Sequence, residues 1–577
     1  MKTRSSFRIL RREAYALLMV IVFTGAALVL ATGIFQYAST STNLNHRHNE
    51  HQRAIAAAEA ATEKVLSKVT SDYRDLGEGY VLAHLDSYRS MVPTSSEHTD
   101  CGDYLFKNFS GVADRVEVNY IPGGSFEVSS GKYNGLRGTK SKLHITANAT
   151  AKYSSANPVG AVNQDIEFLR IPIFQFAIFY NLPLEFNNHP PMIVTGPVHC
   201  NTNIYITPEI STTFNGDVTA SGQIYHSKNP ISPESSSCSG LVVYNGAHDS
   251  GVGTLNLPIG TNNSPSAVRA VIEVPPVLED PYSSMGRERY YNKADLIITV
   301  QNTNIIATSG LRNSFATVVP ATEITNFVST NLTFYDERQL KTIETTQIDV
   351  AKLAQWKATN IYFNPTLPRG NILTIFITDT RTQTASTQSG IRLVNGQTLP
   401  TGGLTVATPN PLYILGHYNA PAAHLGTTNT SATQPASVAA DSVTLLSTAW
   451  SDANSTDSLC SRVGNHTTVN AAMLTGFVET TEKNFSGGVE NLPRFLEDWD
   501  TKILTYNGSM VAMYVSKIST NAFGKSGVFG APDLHWSLDQ NYLVEGKLPP
   551  ATPSVTILVR SKWRMPAPYS TNVLAGF

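Results

Sequence analysis

Residues 14–38 read AYALLMVIVFTGAALVLATGIFQYA, 25 positions without a charge. A bilayer's hydrocarbon core needs about 20 apolar residues at 1.5 Å each to cross it, so this run is long enough to span with some tilt. Few segments constrain a chain more, because such a helix requires lipid or protein on every side. In front of it stand Lys2, Arg4, Arg8, Arg11 and Arg12 against the single acid Glu13. Basic flanks stay on the cytoplasmic side of a membrane, which predicts an N-terminus inside and residues 39–577 outside. A cleaved signal peptide is the competing reading, with Val29-Leu30-Ala31 as its cleavage site. Against it, the run exceeds the roughly 7–15 residues of a signal core.

Helical text continues past the span. Residues 54–69 read AIAAAEAATEKVLSKV, with Ile55, Ala58, Thr62, Val65, Leu66 and Val69 at helical spacing and no Gly or Pro between them. A helix from Ala14 to about Tyr73 would be roughly 90 Å long, half in lipid and half presenting an apolar stripe. Between the halves lies His46-Arg47-His48-Asn49-Glu50-His51. His48 and His51 would share a helix face as metal ligands, or the segment is a polar juxtamembrane collar.

Beyond Gly77, Gly, Pro, Asn and Ser break the chain into short apolar runs, the pattern of strands and turns. Leu143, Ile145, Ala147, Ala149 and Ala151 alternate with polar neighbours, which predicts a strand with one buried and one wet face. The segments 297–300, 373–377 and 555–559 read as further strands, and Asp349 to Trp356 and Pro493 to Trp499 as short helices. Gly196-Pro197-Val198 … Ile204-Tyr205 matches Gly216-Asp217-Val218 … Ile224-Tyr225 at a spacing of 20. Such a period fits one coil of a parallel β-solenoid, and an antiparallel meander is the alternative. The stretch 403–416 has the same texture. Asp217 and Asp441 are expected in turns, bonded to their own backbone.

Charged residues are 15% of the chain and the formal net charge is −2. No global field therefore points to nucleic acid, and none is expected as a partner. In RERYYNKAD at 287–295 the basic residues are offset by Glu288 and Asp295, which favours tyrosines packed on a core. Cys101, Cys200, Cys238 and Cys460 permit two disulfides, with Cys200–Cys238 the candidate pair; free, buried thiols are the alternative. No phosphate loop, GxSxG elbow or HExxH motif occurs, so neither a cofactor nor a metal is expected. The acids Glu490, Glu497, Asp498 and Asp500 cluster. A carboxylate pair about 5–10 Å apart hydrolyses glycosidic bonds, whereas acids on a short helix more often form a solvated face.

With these residues laid out, the chain resembles a family. RREAYALLMVIVFTGAALVLATG followed by AIAAAEAATEKV resembles the N-terminus of PilX-type minor pilins and pseudopilin-like proteins. GPVHCNTNIYI at 196–206, GLTVATPNPLYILGHYN at 403–419 and GGVENLPRFLEDW at 487–499 are similar to segments of large bacterial surface proteins of the Verrucomicrobia and Planctomycetes type. The resemblance implies a cell-envelope protein tied to type IV pilus or secretion-like assembly, with membrane lipid and pilin or pseudopilin subunits as partners. It implies no catalytic activity. The sequence departs from the pilin pattern in two places: Glu13 precedes the apolar run, and no Gly lies before Gly25.

The expectation is a mainly β protein with a long N-terminal transmembrane α-helix and a β-rich ectodomain containing a short parallel β-solenoid section. Its divisions are a basic tail (1–13), the span (14–38), a helical extension (39–76), a β-rich region (77–190), the solenoid-like section (191–265), a β-rich body (266–480) and a C-terminal region (481–577) with a short helix and strands. Function follows as membrane-anchored, structural or adhesive and non-enzymatic; a membrane-tethered glycan-active enzyme is the alternative.

Overall fold

The computed structural model describes residues 10–128, 133, 135–154, 157–234, 240–302, 304–310, 317–360, 362, 372–524 and 527–569. Helix α1, Leu10–Ala83, has 74 residues and would reach about 110 Å if straight throughout. Its helical geometry breaks at Gly77, where φ is 80° and ψ 174°, a conformation comfortable only for glycine. The sequence reading placed the end at about Tyr73, close to this break. Every large apolar side chain from Tyr15 to Tyr37 is exposed, whereas Ile55, Ala58, Thr62, Val65, Leu66 and Val69 are buried.

What buries them is an antiparallel sheet. Strand Arg137–Ala151 pairs with Val159–Pro172, which pairs in turn with Ser554–Arg564; Tyr104–Lys107, Glu117–Ile121 and Ser125–Glu127 add to Arg137–Ala151. Leu143, Ile145, Ala147 and Ala149 face the helix in one apolar cluster with Ile55, Val65 and Val69. The opposite face, expected to be wet, is buried at His144, Thr146 and Asn148. It is a polar layer bonded within itself. His144 pairs with Asp165, Asn163 donates to Thr146 Oγ1 at 2.9 Å, Arg564 Nε donates to Asn163 Oδ1 at 2.9 Å, and Tyr569 N–H donates to Asn148 Oδ1 at 3.0 Å. The alternation predicted the polarity of that face, but satisfied polar groups tolerate burial.

Residues 173–553 are an insertion between two neighbouring strands of this sheet. Where they leave and return, Ile173 N–H donates to Pro553 O at 2.9 Å. The insertion is built mainly of parallel coils, with antiparallel pairs of Leu296–Gln301 with Asn304–Ser309 and of Val328–Asp336 with Lys341–Asp349. Ile178–Tyr180, Val198–Cys200, Val218–Ala220 and His248–Ser250 form one face, and Leu184–Phe186, Ile204–Ile206 and Ile224–Tyr225 another. Met192–Val194, Ser211–Phe214 and Leu241–Tyr244 form the third. The 20-residue repeat is the stacking register: Val198 lies beside Val218, Ile204 beside Ile224, and the rings of Tyr205 and Tyr225 stack at 5.2 Å. The ladders are parallel, which replaces the meander alternative.

Parallel coils extend well past 191–265. The chain crosses to the far end at Leu296–Gln301 and coils back through Thr374–Asp379, Leu404–Ala407, Ala436–Ala440 and Ala472–Phe477 to Met510–Val515. That last strand pairs with Ile178–Tyr180 and completes a 12-stranded sheet. Asp217 and Asp441 bond later segments rather than their own turns: Ala247 N–H donates to Asp217 Oδ1 at 2.9 Å and Ser519 N–H to Asp441 Oδ2 at 2.8 Å. Val350–Thr359 is helical, with Asp349 as its N-cap. The helix expected over 493–499 is instead extended. Leu445 N–H donates to Arg494 O and Arg494 N–H to Val443 O, both at 2.8 Å, because Phe495, Leu496 and Trp499 are buried between coils.

The backbone of α1 comes close against the sheet at Gly160, where a Cβ would overlap the backbone of Ala54 and Ile55. We expect Gly160→Ala to destabilise the helix–sheet seam by about 1–3 kcal/mol, the usual cost of overpacking. Gly79→Ala, which meets nothing within 4 Å, is the control. Melting temperatures of the detergent-solubilised protein decide: equal values for the two variants would refute the seam as described.

Candidate functional site

Two regions carry chemistry that the fold alone does not require. The first is helix α1. Over its N-terminal half an 18-residue window has mean hydropathy 2.5 and none of it is buried. Thr24, Thr32 and Thr42 bond back to the helix: Thr24 Oγ1 donates to Val20 O at 2.6 Å, Thr32 Oγ1 to Leu28 O, and Thr42 Oγ1 to Ala38 O at 2.8 Å. A helix whose polar groups are satisfied internally is one that lipid accepts. The other half is held by polar contacts as well as apolar ones. Gln164 Nε2 donates to Thr62 Oγ1 and to Glu63 Oε1, each at 2.9 Å. Tyr88 O–H donates to Asp72 Oδ2 at 2.7 Å, and burial pushes that phenol's pKa up. Beyond the break, Glu78 accepts from Ser141 Oγ at 2.6 Å, Tyr120 O–H at 3.0 Å and Arg170 Nε at 3.1 Å.

Among the flanking basic residues, Arg4 and Arg8 lie outside the described residues, and Arg11 and Arg12 fall in the first turn of α1. His46, on the exposed part of the helix, sits 3.5 Å from Glu50. Cys200 is a buried, free thiol whose Sγ–H donates to Leu182 O at 3.3 Å, and burial raises its pKa to about 11. Its expected disulfide partner, Cys238, lies outside the described residues. In 287–295, Tyr290 is fully buried, Arg289 pairs with Glu279, and Lys293 pairs with Glu288 at 2.7 Å.

The second region is the acidic cluster, which the structure divides. Glu490 and Glu497 are buried, while Asp500 is exposed. Both oxygens of Glu497 are taken, by Ser447 N–H and Ser447 Oγ–H at 2.6 Å each. Burial raises its pKa, opposed by those two bonds and by Arg462. Glu490 sits in a short 3-10 turn, Val489–Asn491, set up by Gly487 and Gly488 at φ 95° and 72°. A Cβ on Gly488 would meet the Glu490 carboxyl, so the loop reaches this position only with glycine there. Glu490 Oε1 accepts from Asn187 N–H at 3.0 Å, and Oε2 has no partner. Burial, then the nearby Glu185, push Glu490 up to about 8. Glu490 is among the residues lining a cavity of about 260 Å³, with Phe485, Phe523 and Phe529. GGVENLPRFLEDW contains both acids, but no spacing in it shows that one is capped by Ser447 and the other is buried at the wall of a cavity.

A buried acid with a raised pKa stabilises the fold while protonated. Its contribution is complete below the ordinary value of 4.5 and is lost as pH rises through about 8. Glu490→Gln keeps the neutral shape at every pH. The melting temperature of the native protein should therefore fall relative to Glu490→Gln between pH 5 and pH 8.5; parallel profiles would contradict a protonated Glu490.

No family model matches this sequence, and none of the curated proteins compared with it matches either. Among solved structures, the chain is similar to the competence-associated pilin ComZ from Thermus thermophilus, with 11% sequence identity and a TM-score of 0.27, over 90% of this chain and 98% of that one.

Proposed function

We propose that this chain is a membrane-anchored structural or adhesive protein of the cell envelope, held by α1 and acting within a type IV pilus or secretion-like assembly. The division of α1 carries this reading. Its bare half leaves each large apolar side chain from Tyr15 to Tyr37 56–77% exposed. Burying such a side chain is worth about 1.5–3 kcal/mol, so together they represent tens of kcal/mol that only lipid or neighbouring helices recover. Its other half is locked to the sheet, so the body is carried rigidly on the stalk. The PilX-type and pseudopilin-like resemblance of the N-terminus supports membrane lipid and pilin subunits as partners. The basic residues before the span favour a cytoplasmic N-terminus and an extracytoplasmic body. In this reading the protein is not an enzyme: Glu497 is fully engaged by Ser447, which speaks against a working carboxylate pair with Glu490.

Full-length protein should remain in the membrane fraction after alkaline extraction, and protease added to spheroplasts should digest the body. Recovery in the soluble cytoplasm would overturn the proposal. Leu28→Lys combined with Val29→Lys should release much of the protein from the membrane, since lysine at a span's centre costs about 2.5–3.5 kcal/mol. Capture of pilin subunits by the full-length protein in detergent tests the assembly role, and failure across all subunits of the host's pilus would refute it.

A further inference from the structure

A second, smaller cavity lies where the first coil meets the loops of the last one, and neither anchoring nor assembly makes use of it. Its volume is about 10 Å³, room for one particle the size of a water molecule. Tyr180 and Glu185 line it from the first coil, Arg338 from the turn between Val328–Asp336 and Lys341–Asp349, and Ser486, Asn491 and Arg494 from the segment after Ala472–Phe477. Arg338 is 8% exposed and Arg494 4%. Among the described residues neither guanidinium has a carboxylate as an ion-pair partner. Arg338 makes one hydrogen bond, Nε to Asn521 O at 3.4 Å, so both of its Nη nitrogens are without an acceptor. They are not among the side-chain atoms sealed from contact, and so keep accessible surface. The Tyr180 hydroxyl is likewise open and unbonded, on a residue 2% exposed. Arg494 Nη2 donates to Ser519 O at 2.9 Å and to Ser516 Oγ at 3.2 Å, while its Nη1 has no partner.

Two guanidinium groups buried together without a counter-charge in contact are costly to the fold. The acids around them are committed elsewhere. Asp336 accepts from Tyr413 O–H at 2.8 Å and from Gln339 N–H at 2.9 Å, and Asp441 pairs with Arg269 at 2.7 Å. Glu185, on the cavity wall, accepts from Asn229 Nδ2 at 3.3 Å, and burial raises its pKa, which favours its uncharged form. The unmet N–H groups call for an acceptor, and the positive charge behind them makes a negative one the strongest. Size then selects among anions. A phosphate, sulfate or carboxylate exceeds the space of one water molecule, whereas a halide ion is only slightly larger than water. We propose that this cavity binds a single chloride ion, held by the Nη N–H groups of Arg338 and the Tyr180 hydroxyl, with Arg494 as the second positive charge.

The ion ties together three parts of the body that are remote in sequence: the first coil, the turn at Arg338 and the segment of Arg494. These separate on unfolding, so chloride binds the folded chain and not the unfolded one, and stabilises it in a saturable way. General salt effects neither saturate at low concentration nor depend on one arginine. A water molecule in the same place would accept from Arg338 as well, but would give no dependence on chloride.

Thermal unfolding of the full-length protein in detergent, in mixtures of sodium chloride and sodium gluconate at one ionic strength, separates these occupants. Expected is a melting temperature that rises with chloride and levels off, half-complete at millimolar concentration, with bromide able to replace chloride and sulfate unable to. Arg338→Met, similar in length but neutral, should weaken the response roughly tenfold or more. Glu185→Gln should bind chloride at least as tightly as the native protein. Crystals of the native protein grown in bromide should show an anomalous peak beside the Arg338 Nη nitrogens, which keeps the test open if Arg338→Met folds poorly. A melting temperature indifferent to chloride, an equal response from folded Arg338→Met, weaker binding by Glu185→Gln, or no bromide at the site would each overturn the proposal.

Discussion

Strand Ser554–Arg564 lies antiparallel against Val159–Pro172 although residues 173–553 separate them in the chain. Closing a flexible loop of that length costs about 5 kcal/mol in chain entropy. The coils remove most of this cost if they form first, because they bring both ends of the insertion together, as the bond from Ile173 to Pro553 shows. The dependence then runs in both directions. The sheet under α1 is complete only when the body has folded, and the body is held to the stalk through that sheet and through Ser284, whose Oγ donates to Leu76 O at 3.2 Å. Arg560, beside the register shift in this ladder, reaches Glu63 on α1 at 3.0 Å, so the last strand also touches the helix directly.

Helix α1 is continuous from a bare region, long and apolar enough to cross a membrane, to one packed on a sheet, and its composition changes accordingly. The bare region uses Leu, Val, Ile and Phe. The docked half uses Ala54, Ala58 and Ala61, whose small size lets the helix backbone come against Gly160. Large residues return at Val65, Leu66 and Tyr73 as the helix passes over Phe168, whose ring stacks on Tyr73 at 4.6 Å. The break at Gly77 is equally local, since its φ of 80° turns the chain into the contacts of Glu78.

Much of this was legible in the sequence, for identifiable reasons. Charge-free apolar runs and 3.6-residue periodicity are local signals, so the long apolar helix and the six buried residues of the docked face could be read from one segment each. The 20-residue repeat was legible because stacked coils place Gly196 and Gly216, Val198 and Val218, in equivalent positions. Of the later coils only 403–416 was recognised, by its texture, and the strand starts explain why the others were not. They fall at 178, 198 and 218, and then at 248, in the first run, but at 374, 404, 436, 472 and 510 in the second, where loops of growing length hide any period. Strand order was out of reach for a different reason: the pairing of Met510–Val515 with Ile178–Tyr180 is a contact between distant segments, and no local pattern encodes it. The 493–499 segment misled because Pro followed by apolar and acidic residues reads as a helix start, while burial between coils imposed an extended form.

That difference in coil length also accounts for the cavity. Where the two runs meet, a first coil of 20 residues abuts a last one whose loops are far longer, and the excess chain overhangs the junction. Gly487 and Gly488, both at positive φ, fold one loop inward and bring Glu490 against Asn187 N–H of the first coil. The other loop carries Phe523 and Phe529 over the same spot. Packing within the coils is set by stacking of like on like, but no such rule applies at a junction of unlike coils. A group placed there is free to be polar, as Glu490 is, while the coils on either side keep the backbone beneath it in register.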